Sequence, residues 1–414
     1  MHILLIHQAF AALDEAGGTR HHELARFLVQ KGHNVTVIAS PVSYLTGTSS
    51  HKRQEVIDGV TIRRAYTYNA LHKSFVHRVF SFFSFMFSSF FIGLGVKHVD
   101  VVWGTSPPIF QGFTAWLLAR LKRAKFLFEV RDLWPDFAIA VGVLQNPTLI
   151  KMSLWLERFL YSHADQLVVN SPGFVEHVQA RGARLVELVP NGADPAMFDP
   201  QDDGAAFRLA HSLTDKFVVL YAGAHGMSND LGVVLDCASL LAPNPAIHFV
   251  FLGDGKEKPA LQNQAARLGL TNVSFLPSVP KTEMADALAA SQACIAILKP
   301  VEAYKTTYPN KVFDYMAAGR PVVLAIDGVI REVVENADCG VYPRPGDARD
   351  MCNAIQFLEA DREHAAILGR HGREYLVEHF SRERMAEKLC SIFEELTASH
   401  KSNGSTRAKE NGQS

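Results

Sequence analysis

Two stretches of this chain concentrate side chains able to do chemistry. In Tyr308-Pro-Asn-Lys-Val-Phe-Asp314, Lys311 stands at the mouth of a helix. There the free backbone N–H groups and the positive end of the helix dipole draw a phosphate. Asp314 follows three residues later on roughly the same face, so the pair suits a diphosphate and a sugar hydroxyl. In Phe128-Glu-Val-Arg-Asp-Leu-Trp-Pro-Asp136, a strand ends in Glu129, Arg131, Asp132 and Trp134 in quick succession. Polar groups where a strand opens toward a crevice are ligand contacts, although a salt-bridged strand end has the same composition.

Three weaker signals accompany them. Gly17-Gly18 follows an apolar run and precedes a helix, where glycine lets backbone amides approach a ligand closely; the spacing is not the dinucleotide fingerprint. Gly253-Asp-Gly255 has the form of a nucleotide-cradling turn, or of a plain strand-to-helix turn. His225 follows a strand and abuts Gly226, a place open to a structural or a functional histidine.

The elements that must position these groups alternate. Ile3–Ile6, a helix near Arg20–Lys31 and Val35–Ala39 open a βαβ series continued by Val99–Trp103, Phe126–Glu129, Gln166–Asn170 and Leu185–Val189. Pro, Asn and Gly accumulate at 189–195, the mark of a linker. A second series starts at Phe217–Ala222 and runs through Ile247–Leu252, Val273–Phe275, Cys294–Leu298 and Pro321–Ala325. The expected fold class is α/β, two Rossmann-like doubly wound domains facing across a cleft. Residues 1–195 form the first and 205–380 the second, with a helix at 381–399 that packs back on the first domain. Residues 400–414 are polar, lack apolar periodicity and read as a disordered tail.

Composition narrows the class. A formal net charge of −1 over 414 residues gives no global attraction for nucleic acid. Five cysteines without ligand-like spacing fit reduced thiols in a cytoplasmic protein rather than a disulfide frame or zinc site. The short apolar start, Met1-His-Ile-Leu-Leu-Ile-His7, reads as a first strand rather than an export signal.

One segment does not fit an ordinary α/β helix. Eight of the 27 phenylalanines lie between Phe75 and Phe91, and Ser74, His77, Ser81, Ser84 and Ser88 form a small-polar stripe among them. Seven Lys or Arg against Glu55 and Asp58 within 51–97 make the surroundings basic. A buried core helix, a helix in the interface of an anionic membrane, and a span over Val79–Val96 all meet the pattern, and the span would split a βαβ domain. On the interfacial reading the contacts are Phe80, Phe83, Phe87 and Phe90.

In their order, the Gly17-Gly18 loop, Val189-Pro-Asn-Gly-Ala-Asp194, Leu252-Gly-Asp-Gly255, Asn272-Val-Ser-Phe275 and Phe313-Asp-Tyr-Met-Ala-Ala-Gly-Arg-Pro-Val322 resemble the retaining glycosyltransferases of family 4, with the GT-B fold. Val130-Arg-Asp-Leu-Trp-Pro135, Tyr221-Ala-Gly-Ala-His-Gly226 and Pro309-Asn-Lys311 are most similar to the branch that builds bacterial O-antigen and capsule repeats with amino sugars of the N-acetyl-L-fucosamine type. The resemblance implies a UDP-sugar donor held mainly by the second domain, with no required metal and no cofactor. It also implies a lipid-linked, polyprenyl-diphosphate saccharide acceptor held mainly by the first. The enzyme would then be cytoplasmic and peripheral on the inner face of the cell membrane.

On this resemblance Lys311, Asp314 and Asp132 are the catalytic candidates. Gly17, Gly18, His225, Gly253, Asn310, Lys311 and Asp314 bind the donor, and Glu129, Arg131, Asp132 and Trp134 the sugar or acceptor. The chain departs from the family where two glutamates eight residues apart are usual: Thr306 and Asp314 stand there. The frequent Arg and Lys after the second domain's first strand are replaced by His225 and Ser228. Two rival functions follow: a UDP-sugar epimerase of the same architecture, using Glu129 and Asp132, and a non-catalytic nucleotide-sugar-binding subunit.

Overall fold

The computed structural model describes residues 1–44, 47–70 and 75–410. The chain divides into two compact units, one of residues 1–12, 18–190 and 383–414, the other of residues 13–17 and 191–382.

The first unit is built on an eight-stranded sheet. Its strands are β1 (His2–Ile6), β2 (Asn34–Ala39), β3 (Gln54–Ile57), β4 (Val60–Arg64), β5 (Val101–Ser106), β6 (Lys125–Val130), β7 (Gln166–Val169) and β8 (Val186–Leu188), in the order β3-β4-β2-β1-β5-β6-β7-β8. All pairings are parallel except β3 on β4. The central strands are continuous apolar runs because helices cover both faces, so both sides of the pleat are buried. Helices α1 (Arg20–Gln30), α2 (Phe75–Leu94), α3 (Phe110–Lys122), α4 (Asp136–Ala140), α5 (Pro147–His163) and α6 (Val175–Ala180) make the connections. Leu24 and Leu28 of α1 pack on one face of the sheet, and Phe85 of α2, Leu118 of α3 and Leu160 of α5 on the other.

The second unit has six parallel strands, β9 (Phe217–Ala222), β10 (Ile247–Leu252), β11 (Val273–Leu276), β12 (Ala293–Ile297), β13 (Val322–Ala325) and β14 (Gly340–Val341), in the order β11-β10-β9-β12-β13-β14. Around it lie α7 (Ala205–Ala210), α8 (Leu231–Leu240), α9 (Lys258–Arg267), α10 (Lys281–Ala289), α11 (Asn310–Ala317), α12 (Val329–Asn336), α13 (Ala348–Ala360) and α14 (Arg362–His379). Both sheets reverse their winding once, between β1 and β5 in one unit and between β9 and β12 in the other. Loops beyond the carboxyl ends of those strands are where an open α/β sheet binds its ligands.

The last helix, α15 (Arg382–Glu410), places Met385, Leu389 and Phe393 in the first unit's core, where Phe393 meets the Trp103 ring edge-on at 5.6 Å. It continues to Glu410 where composition indicated a disordered tail, because a helix already nucleated by packing extends at little cost per residue. Residues 411–414 lie outside the described residues, as do Lys73 and Ser74.

Three further differences have physical causes. The β3–β4 hairpin escapes hydrophobic patterning because its strands are polar, yet Asp58-Gly59 between them, at φ 51° and 78°, is a two-residue hairpin turn. α2 is long and apolar enough to cross a membrane, but it is the crossover between two strands of one sheet and packs on α3, so a span would split that sheet. Within α2, Phe80 and Phe87 are 64% and 60% exposed, but Phe90 turns inward onto the core and Phe91, 68% exposed, takes the outward position.

Candidate active site

In the second unit, α11 begins at Asn310 behind Pro309, which holds the preceding extended backbone. The Asn191 amide donates to the Tyr308 carbonyl at 2.6 Å, and Arg382 donates to Asn310 Oδ1 at 3.4 Å. Asn310 in turn donates to Asp314 Oδ2 at 3.3 Å. Asn310 is thus occupied in holding the helix mouth rather than free for a donor.

Lys311 folds back over the Tyr221 ring of β9, with Nζ 3.8 Å from its centroid. Nζ is buried and has no hydrogen-bond partner among the described residues. Gly223 has φ 135°, a conformation that favours glycine, and a Cβ there would lie 3.1 Å from Nζ, so the loop after β9 passes close over the ammonium. Burial lowers the Lys311 pKa from 10.5 to about 7. An ammonium that lacks a counter-charge, on a flexible stem at the sheet's reversal point, is the group most in want of an anion.

Asp314 parts from it. Its carboxylate is held by Lys281 of α10 at 2.5 Å, and Lys281 is itself buried. Three residues of helix rotate a side chain by about 60° from the starting face, enough to send the shorter Asp314 toward α10 while Lys311 reaches β9. A ribose role for Asp314 therefore competes with Lys281, a residue the sequence did not single out.

His225 is fully buried, against Phe251 and Phe275 with ring centroids at 6.2 and 6.3 Å. Burial and then Lys258 and Lys311 push its pKa down to about 4. It is a neutral histidine under the loop, with both ring nitrogens buried and without a hydrogen-bond partner among the described residues. The glycines of the 253–255 turn answer to packing: a Cβ at Gly253 would lie 1.9 Å from the Gly223 carbonyl oxygen, and one at Gly255 2.4 Å from that of His225. Lys258 donates to the carbonyls of Gly253 and Leu276, both at 2.8 Å. The turn supports the Gly223 loop from below, which corrects its reading as a donor cradle. Thr306 donates to the Ala303 carbonyl at 2.7 Å and stays local.

In the first unit the expected polar cluster divides. Glu129 is buried and fully engaged: Arg20 donates to Oε1 through Nε and Nη2, both at 3.1 Å, and His21 and Trp103 reach Oε2 at 2.6 and 3.2 Å. Arg20 also donates to the carbonyls of Val189 and Pro190. Burial opposes the Glu129 charge, but His21 and Arg20 outweigh it and hold the carboxyl well below the usual range. Burial holds His21 at about 4, so its neutral ring donates to a carboxylate. This locked network corrects the assignment of Glu129 to sugar binding. Trp134 likewise packs on the core beside Phe110, ring centroids 5.9 Å apart.

Arg131 donates to Thr105 Oγ1 at 2.8 Å and the Pro107 carbonyl at 3.0 Å, tying the ends of β5 and β6 together. Asp132 has no side-chain partner among the described residues, and burial raises its pKa from 3.8 to about 6 against the pull of Arg131. The sequence reading missed His7, at the carboxyl end of β1. It is 1% exposed with both ring nitrogens unpartnered among the described residues, and its ring lies 4.3 Å from that of His21, tilted by 48°. Gln111 links the reversal point by accepting from the Gln8 amide at 2.7 Å and donating to the Thr105 carbonyl at 2.7 Å. A histidine directly after a first apolar strand was the signal available for His7. Gly18 donates its amide to Tyr44 Oη at 3.0 Å, so that amide is already satisfied; Gly17, at φ 152°, lies in the same loop.

Comparison with known proteins defines the class. Residues 16–192 match the family described as glycosyl transferase 4-like domain, and residues 216–361 match glycosyl transferases group 1. The chain is a glycosyltransferase of the GT4 type with the GT-B fold. It is 24% identical over 394 residues to WcaI of Escherichia coli (strain K12), named as a colanic acid biosynthesis glycosyl transferase, covering 89% of this chain and 94% of that protein. It is 28% identical over 315 residues to the D-inositol 3-phosphate glycosyltransferase of Geodermatophilus obscurus, covering 72% and 66%. Among solved structures it resembles sucrose-phosphate synthase from Thermosynechococcus elongatus, TM-score 0.78 at 19% identity over 96% of this chain and 99% of that one. It also resembles Anabaena HepE in complex with UDP and glucose, TM-score 0.72 at 15% identity over 95% and 100%. These structural likenesses are likenesses of fold.

Proposed function

We propose that this protein is a retaining glycosyltransferase that moves a sugar, N-acetylated in our reading, from a UDP donor onto a lipid-linked saccharide during surface polysaccharide assembly. The observation that carries the proposal is Lys311: an unpartnered buried ammonium beneath Gly223, at the point where the second unit's sheet reverses. The likeness to a protein named for colanic acid biosynthesis supports the polysaccharide setting, and the likeness to HepE with UDP and glucose supports the donor.

In this mechanism the bond from the sugar's anomeric carbon to the diphosphate oxygen breaks, and a bond to the acceptor oxygen forms on the same face. The acceptor's proton passes to the departing diphosphate, so no protein base is required. Negative charge grows on the diphosphate oxygens as the bond breaks, and Lys311 with the α11 amides stabilises it. Asp132, poised near pH 6, is the free carboxylate on the acceptor-binding unit, and Arg131 holds its loop.

The test is transfer from a panel of UDP-sugars to membrane-extracted lipid acceptors. Wild-type turnover with at least one sugar, reduced at least 100-fold in Lys311→Ala, is expected; full turnover in that variant removes the assignment. An epimerase needs an acid and a base beside the sugar, and the engagement of Glu129 by four donor atoms leaves Asp132 alone, which disfavours it. A binding-only subunit would show donor-induced thermal shifts without turnover on any acceptor. The relatives named D-inositol 3-phosphate glycosyltransferases support one second reading, a soluble phosphorylated acceptor, distinguished by transfer in the absence of lipid.

A further inference from the structure

The aromatic helix α2 is apolar on both faces. Its inward face carries Phe85, fully buried, with Phe90 and Ile92 packed on the core beside small and polar residues: Ser81 and Ser89 are buried, Ser84 accepts from the Tyr68 amide at 2.9 Å, and Ser88 donates to the Tyr66 carbonyl at 2.6 Å. Gly93 lies against Leu118 of α3, where any Cβ would come within 2.4 Å of Leu118 Cδ1. Its outward face is Val76, Phe80, Phe83, Phe87, Phe91 and Leu94, between 37% and 68% exposed. The steps of four and three residues place all six on one stripe about 27 Å long. An ordinary surface helix of a globular unit presents a polar face outward.

The stripe is not isolated. On α5, packed against the same face of the sheet, Met152 and Trp155 are each 61% exposed, and Trp155 stacks on Phe159 at 5.5 Å. The charge on this layer has one sign. Neither α2 nor α3 contains an Asp or Glu, and the single acid of α5, Glu157, is buried. Arg78, Arg120, Lys151 and Arg158 on the same helices are exposed.

We infer that the outer face of α2, α3 and α5 is a docking surface for an anionic lipid bilayer, which it enters to the depth of the phenylalanine rings. Apolar burial of the stripe supplies affinity, and the cations select acidic headgroups within a Debye length. A protein partner would require an acidic complement on its own surface, whereas an anionic bilayer supplies acidic headgroups and an apolar interior together, which matches a phenylalanine stripe beside exposed cations. The inference shares the lipid setting of the proposed transferase reaction but rests on other residues.

The test uses the full chain with large unilamellar vesicles of phosphatidylcholine, alone or with 30% phosphatidylglycerol, in sedimentation without donor or acceptor. Binding at least 10-fold tighter to the anionic vesicles, weakened by salt, is expected. The Phe80→Ser, Phe87→Ser, Phe91→Ser variant should lose at least 10-fold of it while keeping its melting temperature and UDP affinity, since these rings pack little in the fold. Arg78→Glu with Lys151→Glu should abolish the preference for acidic lipid. Trp155 emission should be quenched by brominated lipid and the quenched component should vanish in Trp155→Phe. Absence of wild-type binding at millimolar lipid overturns the inference, as does a concentration-dependent dimer that Phe87→Ser breaks while vesicle binding persists. Vesicle binding without transfer to lipid-linked acceptor would sink the transferase reading and leave this one standing.

Discussion

If Lys311 meets the donor diphosphate, UDP affinity must depend on pH in a way set by its burial. In the free protein its pKa is about 7, lowered from 10.5 by burial. A diphosphate beside it favours the ammonium and returns the pKa toward its ordinary value. Between pH 7 and 9 affinity then falls by about 5-fold over the first unit and about 9-fold over the second, since binding must first supply the missing proton. From half-protonated at pH 7 to about 1% protonated at pH 9, the loss is about 50-fold, or about 2.3 kcal/mol. A terminal phosphate has its second pKa near 6 and is already ionised over this range, so it contributes little. His225, held at about 4, is neutral throughout.

Titration calorimetry of UDP in buffers of differing ionisation enthalpy should show uptake of about half a proton at pH 7, approaching one at pH 9. Lys311→Arg, charged at every pH, should bind with a flat profile, and Lys311→Met should bind weakly and flatly. Less than a threefold change in wild-type affinity from pH 7 to 9, or a slope that survives in Lys311→Met, would refute the reasoning. The same group bears on stability. Its folded pKa lies below its unfolded value, so the unfolded chain holds more protons between about pH 7 and 10.5 and stability rises with pH across that window. Lys311→Met should therefore raise stability near pH 7 by about 1–3 kcal/mol while it weakens UDP binding.

Other perturbations separate framework from chemistry. Glu129→Gln should destabilise the first unit by about 3–5 kcal/mol in urea unfolding, because Arg20 stays buried without its carboxylate. Asp132→Asn should leave unfolding within about 1 kcal/mol of wild type, while the rise in transfer rate expected through about pH 6, as Asp132 ionises, should disappear. Gly253→Ala should cost more than about 2 kcal/mol and loosen UDP together, since the new Cβ must displace the Gly223 backbone.

The alternation of apolar runs and amphipathic helices carried the fold, because parallel strands buried on both faces leave an unmistakable pattern. β3 and β4 escaped it, being polar strands at a sheet edge that only the Asp58-Gly59 turn betrays. The site was legible as positions and illegible as partnerships. Glu129 and Asp132 look alike in sequence, three residues apart near one strand end, yet one is held by Arg20 from a helix 109 residues earlier and the other has no partner among the described residues. Likewise Lys311 and Asp314 share a helix turn, and only the placement of Lys281 shows that the carboxylate is taken. Spacing identifies which groups reach a region; tertiary pairing decides which remain available.

That distinction bears on how the chain distributes its charged groups. The acids that remain near the sheet ends, Glu129 and Asp314, are each paired with a buried cation, so their charge is spent on rigidity. Lys311 and Asp132 are left uncompensated, one on each unit, and burial shifts their pKa values to about 7 and 6. Two groups poised near neutrality respond to an arriving charge by changing protonation, where two fully ionised groups would not. A diphosphate that re-protonates Lys311 creates a full cation only once the donor is bound, so the strongest electrostatic contact forms with the ligand rather than before it. On this account the double variant Lys311→Met, Asp132→Asn should lose both pH dependences together while each single variant loses only its own, since each dependence is assigned to a different side chain with a different pKa and independence of the two is expected. A wild-type transfer profile that Lys311→Met alone flattens at both pH 6 and pH 8 would contradict that independence.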